Sequence, residues 1–93
     1  MNDIVVVQAL ANFVEIFGKV MTIAIFVRAM LSWFPIKPDN ALVSLLNSIT
    51  DPILSPLRRI VPAVAMIDLT PMIAIMLLVY IPPLAADMIR NLA

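Results

Sequence analysis

Asp51, Asp68 and Asp87 are the carboxylates that could serve as general acids or cation ligands, and their scattered spacing defines no site. Histidine and cysteine are absent, which removes thiol nucleophiles, disulfides, imidazole bases and the usual zinc or haem ligands. One glycine, Gly18, leaves neither a phosphate-cradling loop nor a GxxxG packing motif. The expectation is a non-enzyme with no catalytic residue, metal or cofactor. What these residues can do is recognise partners by charge and hydrogen bonding, and two groups concentrate that capacity.

The first group is Asp51-Pro52-Ile53-Leu54-Ser55-Pro56-Leu57-Arg58-Arg59-Ile60-Val61-Pro62, in which three prolines, a carboxylate and an arginine pair fall within twelve residues. Its Ile53, Leu54, Leu57, Ile60 and Val61 form an apolar face and leave Arg58 and Arg59 toward water or lipid headgroups. The second group is Gln8, Asn12, Glu15, Lys19 and Thr22, which recur at helical steps and share one narrow stripe. Two readings of that stripe stay open. Either the first turns lie outside the hydrocarbon with Glu15 and Lys19 paired near the interface, or a polar seam faces another helix or a water path.

Both groups need a membrane to position them. Hydrophobic residues make up 63% of the 93 residues and charged residues 13%, with a mean hydropathy of +1.10. A soluble domain of that make-up would expose aggregation-prone apolar surface. A net charge of zero gives no support to nucleic-acid binding. The apolar stretch of about 4–34 exceeds the roughly 20 residues that cross a bilayer, and its flanks lack the basic region of a cleaved signal, so it reads as a retained span with a polar extension. Asn2 or Asp3 can cap its start, Trp33 suits the aromatic belt at its end, and Pro35 and Pro38 stop it. Arg28 falls about 9 Å inside that end and is expected to snorkel.

An interfacial segment over 40–62 follows, in which Asp39 or Asn40 caps a short amphipathic helix with Leu42, Leu45, Leu46 and Ile49 on one side. Asp51-Pro52, Ser55-Pro56 and Thr70-Pro71 each set a capping oxygen before a proline, the pattern of a helix start. Thr70-Pro71 opens a second span over 70–90, and the earlier pairs open a short helix or turn ending at Pro62. Pro82-Pro83 should kink the second span and call for a partner at that depth. The fold expected is all-α: two transmembrane helices as an antiparallel hairpin, joined by an amphipathic interfacial helix and a proline-rich turn. In such a hairpin Lys19 and Asp87 sit at about the same depth, which predicts their contact. Asp68 either reaches Arg28, Arg58 or Arg59, or complements the positive start of the second span. Lys37, Arg58 and Arg59 against Arg90 place loop 35–69 on the cytoplasmic side and both ends opposite.

Ser32-Trp33-Phe34, the block from Asp51 to Pro62, and Ile67-Asp68-Leu69-Thr70-Pro71, in this order and spacing, resemble the signature of the YggT family, also called YlmG. The chain departs from it at Asp51, where Glu is common, at Thr70, where Ser is common, and at Ala63-Val64-Ala65-Met66, where glycine is usual. The resemblance implies a single unit over 1–93 where some members carry two in tandem. It also implies a small integral protein of a bacterial inner membrane or a plastid-type membrane, in a family linked to cell division, osmotic tolerance and membrane-complex biogenesis. Two function classes are compatible. One is an assembly or scaffold factor whose Asp51, Pro52, Pro56, Arg58, Arg59, Pro62, Asp68 and Trp33 meet partner proteins or anionic lipid. The other is an oligomeric channel or transport accessory in which Gln8, Asn12, Glu15, Lys19, Thr22, Arg28 and Asp87 form an intramembrane polar seam. Both expect the bilayer, and other membrane proteins or further copies of the chain, as partners.

Overall fold

The computed structural model describes residues 3–35, 37, 39–61 and 69–92; Asn2, Pro38, Pro62 and Asp68, singled out above, lie outside them. The described residues form three helices, α1 (Asp3–Leu31), α2 (Ala41–Ile60) and α3 (Thr70–Arg90). α1 and α3 pack antiparallel along their length and share the largest interface, with α2 laid across one end of the pair. Both long helices are apolar enough to cross a membrane, and only 28% and 17% of their most apolar windows are buried. Phe13, Ile16, Val20, Ile23 and Phe26 on α1 and Met76, Tyr80 and Leu84 on α3 point outward. Helices that apolar and that exposed fit lipid as their surroundings, unlike the core helix of a soluble domain.

The α1–α3 contact is built mostly from small residues, with Ile25 as the bulky exception. Ala11, Gly18 and Ile25 recur every seven residues on α1; Thr70, Ala74, Pro82 and Ala86, all buried, keep a four-residue step on α3. Small side chains let backbones approach where burial from lipid supplies no driving force. The tightest point is Gly18, where an added Cβ would stand 2.6 Å from Cγ and 2.7 Å from Cβ of Pro82. Pro82 and Pro83 do not end the helix: α3 runs through them. Neither ring has an N–H, so the carbonyls of Leu78 and Val79 lose their usual donors, and α1 is the neighbour at that depth. A neighbouring helix is present at that depth, as expected, with Gly18 packed against Pro82.

Three local expectations change. α1 ends at Leu31 rather than Phe34: the Ser32 amide still donates to the Arg28 carbonyl four residues back, but those of Trp33 and Phe34 donate three back, to Met30 and Leu31, and tighten the chain into a turn. Pro35 forces that exit by disfavouring helical geometry in the residue before it. α2 is capped by Asn40, whose Oδ1 accepts from the Leu42 amide at 2.9 Å, and then continues unbroken through Pro52 and Pro56. Asp51 and Ser55 therefore cap nothing. The two prolines lie one turn apart on an exposed flank, so the missing amide bonds fall together on one side. Leu46, Thr50 and Leu54, buried at the same four-residue step, hold the other side continuous. Likewise Leu69 occupies the cap position of α3 and Thr70 is its first helical residue, with the Ile73 amide donating to the Leu69 carbonyl.

Candidate functional site

Polar residues collect at the two ends of the hairpin. At the end of α3, Arg90 Nη1 donates to Glu15 Oε1 at 2.6 Å, Nη2 to Asn12 Oδ1 at 3.0 Å and Nε to Gln8 Oε1 at 3.3 Å. Asp87, one turn back, approaches the same Nη1 at 3.4 Å. One guanidinium therefore serves three members of the α1 stripe, using its fork of donors in a way that an ammonium could not. Side-chain direction explains the meeting. Cβ atoms lean toward the start of their own helix, so Glu15 leans outward along α1 while Arg90 leans inward along the antiparallel α3.

The rest of the stripe behaves differently. Lys19 makes no ion pair among the described residues, and the predicted Lys19–Asp87 contact is replaced by the shared Arg90. Thr22 Oγ1 donates to the Gly18 carbonyl at 2.7 Å, the local bond that lets a threonine sit quietly in a helix. Glu15, Lys19 and Thr22 also line a cleft of about 560 Å³ whose opposite wall is Leu78, Val79, Pro82 and Pro83. Replacing Arg90 with leucine should strand Glu15, Asn12 and Gln8 at once and loosen the far end of the hairpin. Paired labels on cysteines placed at Leu10 and Met88 would read the change as a longer, broader distance distribution; an unchanged distribution would remove the clamp from the account.

At the other end Arg28 joins α1 to α2. Its Nη1 donates to Thr50 Oγ1 at 2.6 Å and to Asp51 Oδ1 at 2.7 Å, and Thr50, fully buried, passes its own proton to the Leu46 carbonyl at 2.6 Å. Arg28, expected to snorkel, directs its guanidinium to Thr50 and Asp51 of α2. Arg28 thus separates from the seam predicted for it and pairs with Asp51 instead.

The arginine pair also divides. Successive residues on a helix point about 100° apart. Arg58 lines a cleft with Arg28, Ser32 and Trp33, whereas Arg59 is exposed elsewhere on α2. Trp33 is 79% exposed just beyond the end of α1. Pro52 and Pro56 are exposed on α2. Sequence reasoning missed Arg90 and Gly18 as structural residues. Arg90 was weighed only as a topological charge and Gly18 only as half of an absent motif.

The family model described as CCB3/YggT matches residues 7–89. The chain belongs to the CCB3/YggT family. Among relatives of this family, it is 35% identical over 75 residues to YlmG homolog protein 2, chloroplastic, of Arabidopsis thaliana, a match covering 81% of this chain and 28% of that protein. It is 34% identical over 79 residues to an uncharacterised protein of Pseudomonas aeruginosa, covering 85% of this chain and 39% of that protein. An uncharacterised protein of Haemophilus influenzae is 26% identical over 90 residues, 97% of this chain and 49% of that protein. The chain thus spans about half or less of the length of each relative. No solved structure matches it significantly.

Proposed function

We propose that this YggT-family unit is a non-enzymatic assembly or organisation factor that holds α2 as a rigid platform at the membrane surface for other membrane proteins. The observation that carries this reading is the Arg28–Thr50–Asp51 bond, which fixes α2 to the spanning pair while its outer side stays available. That side combines exposed Leu42, Leu45 and Ile49 with Ser44, Ser48 and Arg59. A surface that mixes apolar and charged groups on a fixed helix suits protein recognition, because little side-chain order has to be gained on binding. By the excess of basic residues between the spans, this platform faces the cytoplasm or its equivalent.

The cleft at Lys19 supports a second reading, an oligomeric channel or transport accessory, since an ammonium with no ion-pair partner among the described residues is, at membrane depth, functional by default. Photo-crosslinkers separate the two. Placed at Ser48 in native membranes, one should capture a small, reproducible set of membrane proteins, while one at Phe13 reports lipid. Liposomes holding the purified chain should leak ions no faster than empty ones. Flux that disappears in Lys19→Leu, with no adducts from Ser48, would reverse the assignment.

A further inference from the structure

Two lines of residues border the cleft between α1 and α3, and no described residue of α2 lines it. On α1, Glu15, Lys19 and Ile23 repeat every four residues; on α3, Val79 and Pro83 do, and the next step of that line is Asp87. One border thus carries an ammonium and the other a carboxylate, on the same side of the hairpin. Lys19 is exposed and has no ion-pair partner among the described residues, while the nearby Glu15 commits Oε1 to Arg90 Nη1 at 2.6 Å. Asp87 is 69% exposed and meets that same nitrogen at the longer distance of 3.4 Å. We propose that this side of the hairpin is the interface of a two-fold dimer, in which Lys19 pairs with Asp87 of a second copy of the chain and the reciprocal pair forms by symmetry.

Symmetry selects the occupant. A two-fold axis along the membrane normal keeps both copies in one orientation and sets α1 of each opposite α3 of the other. A surface with its cation on one helix and its anion on the other therefore complements itself. Depth agrees as well. Asp87 stands five residues beyond Pro82 toward the chain ends, and Lys19 one residue past Gly18 the other way, about 9 Å apart along the axis in all. Each side chain leans toward the start of its own helix, so on antiparallel helices the two lean toward each other, and the four-carbon stem of lysine covers much of the gap. Ile23, 63% exposed, and Val79, 49% exposed, supply apolar packing beside the charges. Pairing between copies removes both ionisable groups from lipid, which such groups rarely face. The inference rests on neither reading above: the platform uses α2, and a channel needs open the cleft that the dimer closes.

Rescue between chains tests the pair. Full chains labelled at a cysteine replacing Leu92 are reconstituted in liposomes, and energy transfer between donor and acceptor copies is followed as added lipid dilutes them. The parent should associate. Lys19→Asp and Asp87→Lys should each weaken association at least roughly tenfold, because like charges then face each other at both contacts. Mixed together, the two variants should regain the parent's association, since each supplies the charge that the other lacks; a pair within one chain could not be restored by mixing. Cross-linking reads the same interface with both charges intact. Chains with Ile23→Cys mixed with chains with Val79→Cys should form a disulfide-linked dimer, and Ile81→Cys, at a position 52% exposed elsewhere on α3, should not substitute for Val79→Cys. A parent that stays monomeric, which would leave lipid or another protein to cover the cleft, would overturn the dimer. So would single variants that associate as the parent does, mixtures that stay apart, or cross-linking no stronger through Val79→Cys than through Ile81→Cys.

Discussion

Leucine at Gly18 should drive α1 and α3 apart. Even the Cβ of alanine would stand 2.6 Å and 2.7 Å from two ring carbons of Pro82 and 3.5 Å from the Leu78 carbonyl oxygen. Proline offers no rotamer through which to yield, and its ring is fixed to a helix that is itself buried at that point. The helices must therefore separate or slide. Overpacking of this kind costs about 1–3 kcal/mol for small insertions, and leucine should lie at or beyond the upper end. Lipid offers no hydrophobic return for the lost contact, since two helices leaving each other in a bilayer expose their apolar faces to an equally apolar solvent. The chain contains no cysteine, so single cysteines can be introduced on α1 and α3 for spin-label distances without background. The distance should lengthen in Gly18→Leu, and Gly18→Ala combined with Pro82→Ala should recover much of what Gly18→Ala loses. A leucine variant with the parent's distances and unfolding midpoint would show that the helices are not in contact there.

The second large effect concerns α2. Arg28→Leu removes the one cation paired with Asp51 among the described residues and leaves the Thr50 hydroxyl, wholly buried, without the donor it accepts from. Hydrogen bonds to charged groups are worth about 1.5–3 kcal/mol, and the half-exposed carboxylate draws this case toward the lower figure. The readout is again positional: a label on Ser44 should become mobile relative to one on Ser32, while the spacing of α1 and α3 stays as it was. A double-mutant cycle of Arg28→Leu with Asp51→Asn should show coupling of roughly 1 kcal/mol. If α2 keeps its place without Arg28, the apolar face through Leu46 and Leu54 suffices alone, and the platform reading loses its anchor.

Much of this architecture was readable from residue types. Hydropathy located both spans, Asn40 announced the start of α2, and the motifs around Asp51 and Thr70 carried the family. The prolines misled because the rule applied to them is local. A capping residue before proline does resemble a helix start, yet the four-residue step of Leu46, Thr50 and Leu54 passes straight through Pro52 and binds the segment into one helix. Tertiary burial outvoted the local cap. The polar stripe was visible in its spacing, but its partner was not, because depth matched by rise per residue ignores the lean of side chains along each helix. That lean carries Arg90 inward to Glu15 and leaves Asp87 as its neighbour instead of a partner for Lys19. Gly18 was hidden for another reason: its counterpart is a proline on the other span, which no motif written along one helix can reveal.

The Arg90 clamp also sets an order of events during biosynthesis. Glu15 is made early in synthesis, whereas its partner lies 75 residues further along and Gln8 waits for a residue 82 positions away. Until α3 has been made to its last turn, the nascent chain therefore carries Glu15, Asn12 and Gln8 without the guanidinium they share in the folded hairpin, with Lys19 one turn away as the local counter-charge to Glu15. Closure of so long a loop adds only slowly to the entropic cost, so the delay is one of timing more than of energy. A unit interrupted before residue 90 lacks the guanidinium that Glu15, Asn12 and Gln8 share, so the clamp closes only after α3 is made to its last turn.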